Sequence, residues 1–362
     1  MADFISLASK CKAVIACRVS PDQKRQIVTM IRLHSGQKTP PMTLAIGDGA
    51  NDVPMIMEAH VGVGISGNEG MQAVRSADYA IAQFRFLEAL TLVHGRNNYK
   101  RISIVVMYSL YKNAFFVTTL FYYGIFTGFT GTALYDSLMF SGFNVMWASI
   151  GILVFGVIDR DISTSASLGC PQLYSDGQEN SDFNLKVLLK WFVTALVHAA
   201  ICFFLIAYTY WGKVVREGDD GLSPFGTVIL QALVISVNLK LTLVSSILPN
   251  VTIASYLFGV IMFMLIGTIH SLWQFSSIMN RGYEYYDTFP AFFSSAAPWL
   301  CQILVIVTLF IPDIVFEFCR RTYLPKNSDI VRELDVGCGD GLKAFLHSQG
   351  RGEDKKHSRK SV

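Results

Sequence analysis

From Ala13 to about Ala82 short apolar runs alternate with amphipathic stretches, the pattern of strands interleaved with helices. The run AVIAC, Ala13 to Cys17, predicts a buried strand. Ser20 then offers an N-cap with Pro21 at the first helical position, and Ile27, Val28, Ile31 and Leu33 recur at helical spacing as far as Gly36. Thr43 to Ile46 predicts a second strand, running into the turn GDGAND. A helix from Val53 to Ala59, a short strand VGVGI, a helix around Met71 to Ser76 and a last strand DYAIA follow. Units of this length imply a parallel sheet covered on both faces.

Beyond Arg101 the pattern changes to six apolar segments: Ile104–Phe126, Ser137–Ile158, Val187–Trp211, Phe225–Leu248, Val251–Phe275 and Ala291–Phe316. Each approaches the ~20 residues that cross a bilayer as a helix. Pro298 and Pro312 in the last are tolerated where neighbouring helices satisfy the freed backbone groups. An even number of spans returns the chain to its starting side. With a cytosolic sheet, the tail's Arg320, Arg321 and Lys326 obey the positive-inside rule, while Lys213 and Arg216 in the opposite loop run mildly against it. The sequon at Asn250 falls in a tight cytosolic turn and is expected to stay unmodified.

Composition agrees with a membrane chain. Of 362 residues 52% are hydrophobic and 16% charged, and the mean hydropathy is +0.40, too apolar for an ordinary soluble domain. A formal net charge of +3 without a basic stripe implies no nucleic-acid partner. Seven cysteines without a C-x-x-C pair suggest neither a zinc site nor a disulfide framework. Asp3, Lys10 and Lys12 interrupt the N-terminus before an apolar core long enough for a signal peptide can form.

The candidate chemistry lies in GDGAND, Gly47 to Asp52, which follows a buried strand and so emerges at the carboxyl edge of a parallel sheet, where α/β folds bind ligands. Glycines beside Asp48 allow close backbone approach to a phosphate. Asp48 and Asp52 can hold magnesium, which takes one or two carboxylates plus phosphate oxygens. SPDQK, Ser20 to Lys24, starts the preceding helix and can bring Lys24 to the same edge to neutralise phosphate.

RVSPDQK and TLAIGDGANDVPMI resemble the phosphorylation domain of P-type ATPases, in the haloacid-dehalogenase superfamily. AHVGVGISGNEGMQAVRSADYAIAQFRFL, LVHGRNNYKRIS, YSLYKN, LYDS, FNVMWAS, GVIDRDI, PQLY, ALVHAA and IPDIVFEFCRR are similar to the lipid-flipping branch, from about Cys11 to Lys326. The resemblance implies a partial phosphorylation domain (residues 1–92), a stalk (93–103), six transmembrane helices (104–318) and a cytosolic, disordered tail (319–362). It implies magnesium at Asp48 and Asp52, a phosphate and nucleotide site of Arg18, Lys24, Asn51 and Asp52, and a lipid path past Lys112 and Asn113, to which Asn144 in the second span adds a polar group. It further implies ATP as substrate, a phospholipid carried from the outer or lumenal to the cytosolic leaflet of the plasma membrane or an endomembrane, and a glycosylated accessory β-subunit. In the second span the family has a Leu-Pro step and this chain Ile150-Gly151, so local unwinding is not supported there.

A cation pump of the same superfamily would need intramembrane carboxylates, and the first five segments contain neither Asp nor Glu. Their ionisable residues include Lys112, His198, Lys240 and His270, with Asn144 and Asn238 beside them, and Lys190 lies at the start of the third; a positive charge suits a lipid phosphate. The two histidines are expected to make buried interhelical hydrogen bonds, and Lys240 to snorkel. No Asp-Lys-Thr-Gly segment supplies an aspartyl nucleophile, so the chain by itself is expected to be inactive, with no catalytic residue of its own. A non-enzymatic six-span regulator is the alternative. LDVGCGDG, Leu334 to Gly341, looks like a methyltransferase loop but lacks the buried strand before it and the α/β domain after it.

Overall fold

The computed structural model describes residues 7–8, 11–34, 41–67, 71–210, 222–272 and 288–337. The loop holding Lys213 and Arg216, and the sequence beyond Gly337 with the second half of the glycine-rich run, lie outside them. The chain divides into two compact units, Met1–His94 and Gly95–Val362.

In the first unit, helix α1 (Pro21–His34) opens with a reciprocal cap: Gln23 N donates to Ser20 Oγ at 3.3 Å and Ser20 N to Gln23 Oε1 at 2.8 Å, which satisfies two backbone donors that the helix start would leave free. Strands β1 (Leu44–Gly47), β2 (Val61–Ile65) and β3 (Tyr79–Ile81) form a parallel sheet in that order. Helices α2 (Val53–Glu58) and α3 (Gln72–Ser76) make the crossovers. Three consecutive residues of β2, Gly62 to Gly64, are buried, as a strand covered on both faces requires. Gly64 has a specific reason to lack a side chain, since a Cβ there would stand 2.6 Å from the Cα of Val74.

Ala13 to Cys17 do not form the expected strand. Those residues are irregular and Ile15 is 87% exposed. An apolar run becomes a strand only when another backbone pairs with it, and among the described strands β1 pairs with β2 alone.

The second unit carries helices long and apolar enough to cross a membrane, six of them among the described residues. These are α4 (Arg96–Phe126, within the helical run Phe86–Phe126), the interrupted pair α5 (Ser137–Gly142) and α6 (Ile150–Ile158), then α8 (Leu185–Tyr210), α9 (Leu222–Val244), α10 (Asn250–Leu272) and α11 (Ala296–Tyr323), with the short α7 (Thr164–Gly169) between α6 and α8. The most apolar stretch of α9 is 67% buried, against 28–39% for the other five, so α9 is the axis of the bundle and the rest turn outward faces to lipid.

The tail departs from expectation. The last span runs on to Tyr323, and Asn327–Gly337 forms a further helix, α12, rather than a disordered segment. Val331 and Leu334 close an apolar cluster with Ile162, Ala166, Cys170 and Leu173, and Asp335 accepts hydrogen bonds from Ser163 N at 3.0 Å and Ser163 Oγ at 2.9 Å. Arg332 donates to the Ser246 carbonyl, and Arg320 to Asp329 at 2.8 Å. Apolar positions Ile330, Val331 and Leu334 recur at helical spacing within DIVREL, a signal that the high charge of the surrounding tail obscures.

Candidate functional site

In the first unit the loop after β1 brings two of the candidate residues into contact. Lys24 Nζ lies 2.7 Å from Asp52 Oδ1, with the side chains 31% and 13% exposed. Lys24 sits one turn into α1 and Asp52 ends the 3₁₀ turn Ala50–Asp52, so the pair ties the helix start to the strand edge. Gly47 is required here: a Cβ on it would fall 2.3 Å from the Cβ of Asp52. Asp48 is exposed on the same loop, and Gly67, after β2, comes up against it, since a Cβ on Gly67 would stand 3.5 Å from the Asp48 Cβ. The sequence reading missed Gly67, because its only signal is that β2 ends at the same sheet edge.

Asn51 is exposed, and Arg18 is exposed at a left-handed backbone angle (φ 56°) with no hydrogen bond to the loop among the described residues. Among the described residues no three His, Cys, Asp or Glu gather into a metal cage. The donor set at the loop is instead Asp48 and the Asp52 oxygen that Lys24 leaves free. A donor set of two carboxylates is what magnesium takes together with phosphate oxygens and water, whereas a structural calcium site needs more protein oxygens.

The second site is built around a break in the second span. Between α5 and α6, Phe143–Trp147 forms a π-helical stretch and Ala148 and Ser149 a turn, so the helix is interrupted immediately before Ile150 although proline is absent there. Three carbonyls around the break meet side-chain donors: Trp147 Nε1 donates to Met139 O at 3.1 Å, Asn238 Nδ2 to Trp147 O at 3.1 Å, and Ser149 Oγ to Asn144 O. The indole folds back over Gly142, where a Cβ would stand 2.3 Å from it. Gly259 on α10 leaves room on the other side, since its Cβ would lie 2.4 Å from Trp147 O. In hydrocarbon such freed groups must be met internally, and here Gly142, Gly259 and Asn238 stand in for the missing proline step.

Lys112 reaches this break. Its side chain is 5% exposed, with Nζ 3.4 Å from Ser149 Oγ and 5.8 Å from the centre of the Phe143 ring. It makes no ion pair with a carboxylate among the described residues. The structure thus brings Lys112 next to the backbone of Asn144 through Ser149, while Asn113, the next residue along α4, is exposed on another face.

His198, His270 and Lys240 each have a polar partner, while Lys190, near the start of α8, lies over the Phe316 ring with its Nζ 4.5 Å from the centre. Tyr111 Oη lies 2.7 Å from His198 Nδ1, the expected interhelical bond, and His270 Nε2 lies 3.2 Å from Asp136 Oδ1. Lys240 does not merely snorkel: its Nζ lies 2.5 Å from Asp313 Oδ2 on α11, a carboxylate of the sixth segment that a search of the first five passes over. At the bundle end where α4 begins, Arg96 grips Asp161 with two bonds of 2.7 Å, and Lys100 bridges Asp176 (3.3 Å) and Asp182. Burial alone would raise the Asp161 carboxyl, but the Arg96 hydrogen bond and charge hold it below the ordinary value.

Comparison with known proteins identifies the family of the chain. Residues 74–326 match the family described as phospholipid-translocating P-type ATPase C-terminal. Similar curated proteins are phospholipid-transporting ATPase C887.12 of Schizosaccharomyces pombe (36% identity, 91% of this chain and 26% of that protein) and phospholipid-transporting ATPase IC of Xenopus tropicalis (37%, 91% and 26%). Phospholipid-transporting ATPase DRS2 of Saccharomyces cerevisiae is another (36%, 91% and 24%). The chain therefore spans about a quarter of the length of these relatives.

Proposed function

Because the chain belongs to the phospholipid-translocating P-type ATPase C-terminal family and is a multi-pass integral membrane protein, we propose that it serves as the C-terminal part of an ATP-driven lipid flippase. The second unit is then the membrane half through which a phospholipid passes to the cytosolic leaflet. One observation carries the reading: Lys112 presents a buried ammonium without a carboxylate partner among the described residues, at a break in the facing helix. An anionic lipid phosphate supplies the partner that such a cation lacks. Asn144 borders the same break, and Asn113 faces outward one residue away, toward lipid entering or leaving.

The first unit is the end of a haloacid-dehalogenase-like phosphorylation domain, residues 1–92 in the division drawn from sequence, leading through a stalk at 93–103 to the spans. Asp48 and Asp52 hold magnesium there, which supplies charge neutralisation at the phosphoryl group; Lys24 adds a second positive charge, and Arg18 and Asn51 flank the nucleotide. The phosphorylated aspartate of an Asp-Lys-Thr-Gly segment comes from sequence outside these 362 residues. A glycosylated β-subunit is the expected partner of the outer faces.

The test is made in the full-length polypeptide. Lys112→Ala lowers lipid-stimulated ATP hydrolysis by at least about tenfold, the cost of ~1.4 kcal/mol in the transition state, and Lys112→Arg does less harm; unchanged uptake of labelled lipid in both variants rules out the assignment. Asp48→Asn abolishes magnesium-dependent turnover in a protein that still inserts into the membrane. The lack of an Asp-Lys-Thr-Gly segment also fits the alternative of a non-enzymatic six-span regulator. The coding sequence before Met1 separates the two: an in-frame nucleotide-binding domain supports the flippase, a promoter and stop codon the regulator.

A further inference from the structure

Beside Lys112, on a different face of α4, Tyr111 is the centre of a closed ring of polar side chains drawn from four helices. Its hydroxyl lies 2.7 Å from His198 Nδ1 on α8. His198 Nε2 lies 3.6 Å from Asp313 Oδ2 on α11, and the same oxygen stands 2.5 Å from Lys240 Nζ on α9. Lys240 Nζ in turn lies 5.8 Å from the centre of the Tyr111 ring and 5.6 Å from that of Trp191. Tyr111 is thus held at its edge by a hydrogen bond and at its face by a cation, and it is fully buried. With the phenol donating to Nδ1, the imidazole carries its proton on Nε2, toward the carboxylate.

We propose that Tyr111, His198, Asp313 and Lys240 are positioning residues for Lys112: the ring fixes the rotation of α4 and so aims the lysine at the broken span. The physical reason is the helix itself. Successive residues stand about 100° apart around the axis, so a few degrees of freedom at Tyr111 become a displacement of the ammonium at the end of the long Lys112 side chain. Hydrophobic packing alone is non-directional and leaves that rotation soft. A hydrogen bond to the hydroxyl and a cation over the ring define it, and Asp313 makes both of those partners parts of a single network. The ring contains one lysine and one aspartate, so its own charge is balanced and it does not compete with Lys112 for an anionic ligand.

The proposal rests on the reading that Lys112 meets the lipid phosphate, and the test separates the two. In the full-length protein, phosphatidylserine, phosphatidylethanolamine and phosphatidylcholine are titrated in turn in detergent micelles, and the half-saturating lipid concentration and maximal ATPase rate are read. Tyr111→Phe, which removes only the hydroxyl, raises the half-saturating concentration about three- to tenfold and leaves the maximal rate within about twofold, as loss of ground-state binding does. His198→Leu does the same or more, and His198→Gln, which keeps a hydrogen-bonding partner for the phenol, recovers most of the affinity.

In a Lys112→Ala background the Tyr111→Phe shift vanishes, because the ring acts through the lysine. If Lys112→Ala shifts the lipid dependence but Tyr111→Phe leaves it unmoved, or if the two shifts add in full, the positioning role is overturned while the lipid path stands. If none of the lipids responds to Lys112→Ala, the lipid path itself is wrong and the proposal falls with it. A ring that served only stability would lower the yield of monodisperse protein without moving the half-saturating concentration.

Discussion

Lys240 and Lys112 both enter the apolar interior of the second unit, yet their surroundings differ in kind. Lys240 has a carboxylate at 2.5 Å and two aromatic faces within 6 Å; every part of its charge is answered by the protein. Lys112 has a serine hydroxyl at 3.4 Å and the distant face of one phenylalanine. A buried ammonium costs several kcal/mol unless it is paired. The bundle meets that cost at Lys240 and leaves much of it unmet at Lys112. A paired buried cation can serve the fold alone, whereas one without a carboxylate among the described residues, beside an interrupted helix, is what the proposed lipid path requires.

The sharpest way to break this comparison is to remove Asp313. Asp313→Leu leaves Lys240 as an orphaned buried charge and should destabilise the bundle by about 3–5 kcal/mol, seen as a large fall in the thermal unfolding midpoint in detergent; adding Lys240→Met should restore most of it. A small effect of the single change would mean that water already reaches Lys240. Lys112→Met should behave oppositely, leaving stability unchanged or raising it by about 0.5–2 kcal/mol while transport is lost, as happens where a binding site carries a stability cost. If that variant were as unstable as Asp313→Leu, the contrast between the lysines would be false.

A smaller loss is expected from the helix break that faces Lys112. Asn238→Leu strands the Trp147 carbonyl in an apolar setting and should cost about 1–3 kcal/mol. Ser149→Ala, which removes both the Lys112 contact and the donor to Asn144 O, should cost about 1 kcal/mol and weaken lipid stimulation less than Lys112→Ala does. An effect equal to that of Lys112→Ala would make the serine, not the lysine, the main lipid contact.

The smallest effect sets a baseline for the others. The Asp161 carboxyl is held below the ordinary value in the folded protein. A depressed carboxylate contributes its stability in full above the unfolded pKa of about 3.9 and loses it only as pH falls through the lower folded value. The Arg96–Asp161 clamp should therefore add no pH dependence to unfolding between about pH 5 and 8. A carboxylate-dependent transition in that window, abolished by Asp161→Asn, would contradict the assignment.

Much of this arrangement is legible in the sequence, for identifiable reasons. The cap at Ser20, the strand VGVGI and the second span Ser137–Ile158 are local signals, written in residues that are neighbours in the chain, and each appears where the pattern puts it. Lys24 and Asp52 meet because strand ends and helix starts share one edge of a parallel sheet. The misses are non-local. Ala13 to Cys17 look like a strand, but a ladder depends on a partner that periodicity does not report. The break before Ile150 is held open by Asn238 and Gly259, about 90 and 110 residues away, so the lack of a proline was misleading. Asp313 stands in the sixth span, outside the five segments searched for carboxylates, and its pairing with Lys240 is visible only after the bundle closes.

The docking of α12 places a natural clock in the molecule. Cys170 lies beneath Val331, 4% exposed, and burial pushes its thiol above the ordinary value. Alkylating reagents attack the thiolate, so while α12 is seated this sulfur is shielded twice, by access and by protonation. Cys11, Cys17 and Cys319 are open to reagent from the start, and Cys202 and Cys301 are buried among the spans. Among the cysteines of the described residues, Cys170 is then the one whose modification in peptide-resolved labelling would depend on any lifting of α12. Such labelling would measure how often the helix opens, if it opens at all, without an added probe.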